Sequence, residues 1–152
     1  MEYGIIEREI HVDASPEIVF EVVSRPEHLS AWWPDEAVIE PEVGASGHIV
    51  FHNKEREDQV ELITVVEVTP PTRFAFRWVY AEGEIPAADN SFLVTFDLEP
   101  SGEGTRVRMT ETGFRERGWE AAVLEASYNE HVQGWDYFVP RLGDYVSRLV
   151  AS

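Results

Sequence analysis

WEAAVLEASYNEHVQGWDYFVPRLGDYVSRL, residues 119–149, repeats Tyr128, Val132, Trp135, Val139, Leu142, Val146 and Leu149 at intervals of three or four. That spacing gives a helix a single apolar stripe along its whole length. A helix this long needs an apolar surface to lie on, and the preceding segments supply one. Residues 73–80 (RFAFRWVY) alternate, with Phe74, Phe76, Trp78 and Tyr80 on one face. Residues 91–98 (SFLVTFDL) set Phe92, Val94, Phe96 and Leu98 together. After a Pro-Ser-Gly-Glu-Gly turn, residues 105–112 (TRVRMTET) point Val107 and Met109 inward.

Working upstream, residues 59–69 (QVELITVVEVT) read as a strand with Val60, Leu62, Thr64, Val66 and Val68 on one face, closed by Pro70-Pro71. Gly44 and Gly47 mark the turn into HIVFH, and residues 36–41 are a weak strand candidate. Residues 5–12 (IIEREIHV) form a first strand, with Ile6, Arg8, Ile10 and Val12 on one face. Two short helices follow it. Ser15 is placed to cap the first, with Pro16 at its first position, and the helix stops before Pro26. The second runs from Glu27 to about Trp33 and is closed by Pro34. One strand, two helices, a run of antiparallel strands and a long helix describe an α+β chain of six to seven strands. No repeat, linker or low-complexity tract interrupts it, so one domain is expected over residues 1–152.

Composition excludes several function classes. With 43% hydrophobic and 12% aromatic residues the chain is not of the disordered class. No apolar run approaches the roughly 18 residues of a membrane span, so no membrane insertion is expected. The acidic opening MEYGIIEREI lacks the order of a signal peptide, which makes cytoplasmic residence the expectation. Net charge is −17, from 29 acidic against 12 basic residues, which disfavours nucleic acid and anionic membrane as partners. Cysteine is absent, so disulfides and thiolate chemistry are excluded. His48 and His52 stand four residues apart on a strand, roughly 13 Å, too far for one ion. No metal-binding or phosphate-loop motif occurs, so no metal and no cofactor is expected.

Several local strings resemble a known family. They are Ile10-x-Val12-x-Ala14-Ser15-Pro16-x-x-Val19-Phe20, Pro26-Glu27-His28-Leu29-x-x-Trp32-Trp33, Pro70-Pro71-x-Arg73-Phe74-x-Phe76-x-Trp78, Gly104-Thr105-Arg106-Val107 and His131-x-x-Gly134-Trp135. Taken in order over nearly the whole chain, they are similar to the START-like (SRPBCC) helix-grip superfamily, in the branch of activators of heat-shock-chaperone ATPase. The resemblance implies a curved antiparallel sheet wrapped around a long C-terminal helix, with a cavity between them. Members include plant allergens and hormone carriers, lipid-transfer domains, polyketide cyclases and the co-chaperone itself. Two features depart from that pattern. Pro140 lies inside the C-terminal helix, where a kink or break is expected. Residues 81–90 (AEGEIPAADN) form a long acidic connection.

The expected cavity measures on the order of 300–1,000 Å³. Its expected lining draws on Phe76, Trp78, Val94, Phe96, Met109, Tyr128 and Trp135, with Glu111 and His131 as polar anchors. For each aromatic residue, ordinary core packing is the competing reading. Continued alternation turns Glu111 inward, where it needs a partner; if the strand ends before it, Glu111 is solvated. His131 falls at the edge of the helix stripe, one turn from Tyr128. Trp32 and Trp33 point about 100° apart on their helix, one inward and one toward a rim. The expected function is binding of a hydrophobic or aromatic small molecule or lipid. Two alternatives stand beside it. One is a polyketide cyclase/dehydratase-like enzyme in which Glu111, His131 or Tyr128 moves protons. The other is a co-chaperone-like regulator with a protein partner. A binder is preferred to an enzyme, since only Glu111 is a fair inward titratable group.

Overall fold

The computed structural model describes residues 4–53 and 55–151. Strand β1 (Ile5–Val12) is followed by helices α1 (Pro16–Ser24) and α2 (Pro26–Trp32). Six further strands come next: β2 (Glu36–Val38), β3 (Ser46–Phe51), β4 (Gln59–Thr69), β5 (Arg73–Trp78), β6 (Phe92–Ser101) and β7 (Gly104–Thr112). A short 3-10 turn, Arg115–Arg117, leads into α3 (Ala121–Ala151). The strands form one antiparallel sheet in the order β1-β7-β6-β5-β4-β3-β2. This is an α+β helix-grip fold, with α3 laid across the aromatic face of the sheet. Among the described residues, no helix is long and apolar enough to cross a membrane.

The local signals account for the helices. Ser15 Oγ accepts the Ile18 N–H at 3.4 Å, and Pro16 opens α1. Val19, Val22 and Val23 of α1 are buried in the core, and Trp32 of α2 donates its indole N–H to the Val22 carbonyl at 3.1 Å. On α3, Trp135, Val139, Leu142 and Val146 are buried, while Tyr128, Val132 and Leu149 pack against the core from its margin. Arg8 shares the inner face of β1 with Ile6 and Val12, and reaches Asp136 of α3 at 2.6 Å. That hydrogen bond raises the Arg8 pKa and ties the edge of the sheet to the helix.

Four details differ from the sequence reading. On β4 the buried residues are Ile63 and Val65, whereas Val60 and Val66 are 56% and 38% exposed. By composition the face of Val60, Leu62, Thr64, Val66 and Val68 is the more apolar one, yet the structure buries the other, so alternation within QVELITVVEVT does not decide the buried face. Pairing does: Ile63 lies opposite Trp78 and Val65 opposite Phe76, and directly paired residues share a face. A bulge between Val65 and Glu67 then brings Val68 opposite Phe74, on the buried side. Before the bulge, plain alternation from Val65 and Ile63 sets Glu61 and Gln59 on that same inner face, at the open end of the strand.

Tyr80 leaves the aromatic row. Strand β5 ends at Trp78, Val79 takes a left-handed φ of 61°, and the Tyr80 hydroxyl meets Thr64 Oγ1 at 2.5 Å on the outer face. Trp32 and Trp33 are both buried, because α2 ends at Trp32 and the chain turns Trp33 inward as well.

Finally, α3 is not broken at Pro140, which lies within the continuous helix. Buried residues before and after it hold both halves to the sheet, and Pro140 itself is exposed, so the unpaired Asp136 carbonyl is open to water. Pro140→Ala restores the missing bond and removes no packing. The expected result is a gain of up to about 3 kcal/mol in chemical denaturation. An unchanged or lowered stability would mean that the proline is compensated locally.

Candidate functional site

Alternation from Val107 and Met109 carries Glu111 to the inner face of β7, level with Ile6 of β1 and Val94 of β6. There it is 0% exposed. A carboxyl group in such a place needs hydrogen bonds on both oxygens. Trp78 Nε1–H donates to Oε2 at 2.7 Å, and Trp135 Nε1–H donates to Oε1 at 2.8 Å. Nδ1 of His131 lies 2.7 Å from Oε1. An indole nitrogen only donates, so both oxygens of Glu111 accept. The third neighbour, Nδ1 of His131, donates to the same group in the tautomer that carries its proton there.

His131 is held on every side. Its ring centroid lies 4.6 Å from Phe92, 5.2 Å from Phe114 and 5.6 Å from Trp78. The side chain keeps 14% of its surface exposed. Among the described residues nothing hydrogen-bonds its Nε2, and that atom is not among the buried polar atoms left without a partner. Nε2 is therefore reachable from outside.

His131 borders a cleft of about 410 Å³, open to solvent, between the N-terminal half of α3 and the ends of β4, β5 and β6. Trp33 forms one wall, stacked on Trp135 at 5.3 Å and edge-on to Trp78 at 5.1 Å. Phe51 and Phe138, 6.0 Å apart, continue that wall outward. Phe92 and Trp119 form the opposite side. Gly134 borders the cleft from α3, and a Cβ there would meet nothing within 4 Å. The missing side chain leaves room in the cleft at the expense of helix propensity.

Polar groups sit at the rim. Gln59 and Glu61 reach it because β4 presents that face, and Glu130 stands on α3. Arg117 lies over the rings of Phe92, at 4.4 Å, and Trp119, at 5.2 Å, and donates from Nη2 to the Val79 carbonyl at 2.7 Å. Its Nε is buried without a partner among the described residues. Burial pushes the Arg117 guanidinium below its usual pKa, while the charges of Glu84 and Glu61 pull it up. Val79, in the sparsely populated left-handed region, also borders the cleft.

Of the residues expected from sequence, Trp78, His131 and Trp135 border the cleft, and Glu111 lies beneath it, bonded to those three. Phe76, Val94, Phe96 and Met109 are packed in the core and do not border it. Tyr128 is turned to the other side, donating its hydroxyl to the Ile5 carbonyl at 2.7 Å. Unanticipated lining residues are Trp33, Phe51, Phe92, Arg117, Trp119, Gly134 and Phe138. For some of them a signal existed: His131, Gly134 and Phe138 recur at helical spacing as a second row beside the main stripe. Among the described residues no cluster of His, Asp and Glu is placed to hold a metal ion.

A curled antiparallel sheet gripping one long helix, with an aromatic cleft at their open end, places this chain among helix-grip proteins. It belongs to the family described as Activator of Hsp90 ATPase homolog 1-like protein, which matches residues 13–147. A crystal structure of a Mesorhizobium loti protein is 22% identical, with a TM-score of 0.76 over 95% of this chain and 97% of that one. A Nitrosomonas europaea protein is 17% identical, with a TM-score of 0.77 over 100% and 99% of the two chains. The solution structure of an Aha1 dimer from Colwellia psychrerythraea is 22% identical, with a TM-score of 0.66 over 93% and 95%. At these identities the likeness is one of fold. No curated protein matches the chain in sequence.

Proposed function

We propose that the cleft beside α3 binds an aromatic or hydrophobic small molecule. The observation that carries this reading is the convergence of Trp33, Trp78, Trp119 and Trp135, four of the chain's five tryptophans, on one open cleft. Trp33, Trp78 and Trp135 are nearly buried and shape the cleft, while the half-buried Phe51, Trp119 and Phe138 supply the apolar surface whose burial by a ligand is favourable, at about 25 cal/mol per Å². A volume of about 410 Å³ lies within the range of small-molecule sites. Gly134 supports the reading further: a glycine in mid-helix costs about 1 kcal/mol relative to alanine, and here the space it leaves opens into the cleft.

Equilibrium dialysis with naphthalene tests it. Binding in the micromolar range is expected, little changed between low and high salt, because apolar contact supplies the energy. Gly134→Phe places a ring in the cleft from a position without steric conflict. It is expected to weaken naphthalene binding at least tenfold while keeping or slightly raising thermal stability. Equal binding by the folded variant would move the ligand elsewhere, and no binding by the original protein would remove the proposal.

A further inference from the structure

We propose that this cleft selects aromatic ligands bearing an acidic hydroxyl, a phenol or an enol, and that Nε2 of His131 accepts the hydroxyl proton. The inference rests on the binding reading above and adds the polar group of the ligand. Three observations carry it.

The first is the fixed orientation of the imidazole. Glu111 Oε1, 2.7 Å away, engages Nδ1, and the rings of Trp78, Phe92 and Phe114 prevent the imidazole from turning. With Nδ1 protonated, Nε2 offers a lone pair to the cleft. The second is that Glu111 serves either position of the ligand's proton. With the proton on oxygen, the bond is O–H to Nε2. With it on nitrogen, an imidazolium lies against a buried carboxylate and donates back to the ligand oxygen. One proton moves from ligand oxygen to Nε2 and nothing else changes hands. Two indole N–H groups stabilise the Glu111 carboxylate in both cases.

The third is the charge around the cleft, which separates a neutral hydroxyl from a ligand that arrives as an anion. Glu61 and Glu130 border the cleft, Glu111 lies beneath it, and the chain as a whole carries −17. The cation at the rim, Arg117, gives Nη2 to the Val79 carbonyl and lies over Phe92 and Trp119, and although its Nε has no partner among the described residues, the carboxylates outnumber it. A carboxylate ligand meets net repulsion on entry; a phenol does not.

The test compares four flat probes by equilibrium dialysis against the full chain: naphthalene, 2-methoxynaphthalene, 2-naphthol and 2-naphthoate. The expected result is that 2-naphthol binds about tenfold more tightly than 2-methoxynaphthalene, the gain of one hydrogen bond made in a desolvated site. In nitrogen NMR of the original protein, the Nε2 resonance of His131 is expected to move with 2-naphthol and not with 2-methoxynaphthalene. His131→Phe is expected to bring the affinity ratio to about one. Equal affinities in the original protein overturn the inference while leaving the cleft reading in place, provided naphthalene binds. So does a preference that survives in folded His131→Phe. Tighter binding of 2-naphthoate than of 2-naphthol also overturns it, by making Arg117 the anchor. If none of the probes binds, the cleft reading fails and this inference fails with it.

Discussion

Glu111→Leu is expected to lower stability by about 3–5 kcal/mol, the range for breaking a buried charged network by removing one member. The substitution deletes the common acceptor of Trp78, Trp135 and His131. His131 escapes part of the penalty by changing tautomer, but each indole N–H is left as a buried donor, at about 1–3 kcal/mol apiece. Loss of the carboxylate's own desolvation cost offsets some of this, which keeps the total below a simple sum. Against a typical domain stability of roughly 5–15 kcal/mol that loss is a large share of the total. The physical account makes a second demand. Combining Glu111→Leu with Trp78→Phe, Trp135→Phe and His131→Phe removes every donor with the acceptor, and most of the lost stability is expected to return. Urea denaturation of both variants decides the matter. A single-variant loss below about 1 kcal/mol would mean that the three donors have other partners, and the floor of the cleft would need redrawing.

Trp135→Ala is expected to have a comparable or larger effect, for a different reason. Trp135 is 3% exposed, stacked on Trp33, and the first of the four buried residues that hold α3 to the sheet. Truncating a large buried aromatic costs about 3–5 kcal/mol, through lost burial and the void left behind. The hydrogen bond to Glu111 goes as well. Trp135→Phe separates the two contributions, because it keeps most of the bulk and loses the N–H, and about 1–3 kcal/mol is expected. The losses are not additive with those of Glu111 variants, since the two residues share one bond. If Trp135→Ala melts within a few degrees of the original protein, the contact of α3 with the sheet is centred elsewhere on the helix.

Much of the architecture is written locally. The three-to-four spacing from Tyr128 to Leu149 marks α3 and its buried face, and Ser15-Pro16 marks the start of α1. Alternation in FAFRW and FLVTFDL places Phe74, Phe76, Trp78, Phe92, Val94 and Phe96 on the inner face. Extending the alternation of Val107 and Met109 by one step turns Glu111 inward. Strand β4 resists this treatment. Its more apolar face by alternation is the one left outside, because pairing with β5, whose aromatic side is buried, overrides the pattern within the strand. Misreading that face hides Gln59 and Glu61 from the cleft, although both are plain in the sequence. Tyr80 is misplaced for a related reason: a single left-handed residue, Val79, ends the alternation that would have carried it inward.

The candidate site divides along the same line. Periodicity records which side of its own element a residue faces, because that depends only on backbone geometry over a few neighbours. From that alone come the α+β class, the long apolar helix and an inner face rich in aromatic rings. Periodicity does not record what stands opposite. That Trp78, Trp135 and His131 meet on one carboxylate joins positions up to 57 apart, and the meeting exists only once the sheet has curled around α3. The cleft is decided at the same level. It lies where the helix stripe ends and the sheet continues, so its walls are Trp33, Phe92 and Trp119 rather than Phe96 and Met109, which the helix covers. Close packing fills the middle of the grip and leaves space at its open end, beside Gly134, and no single strand or helix contains that information.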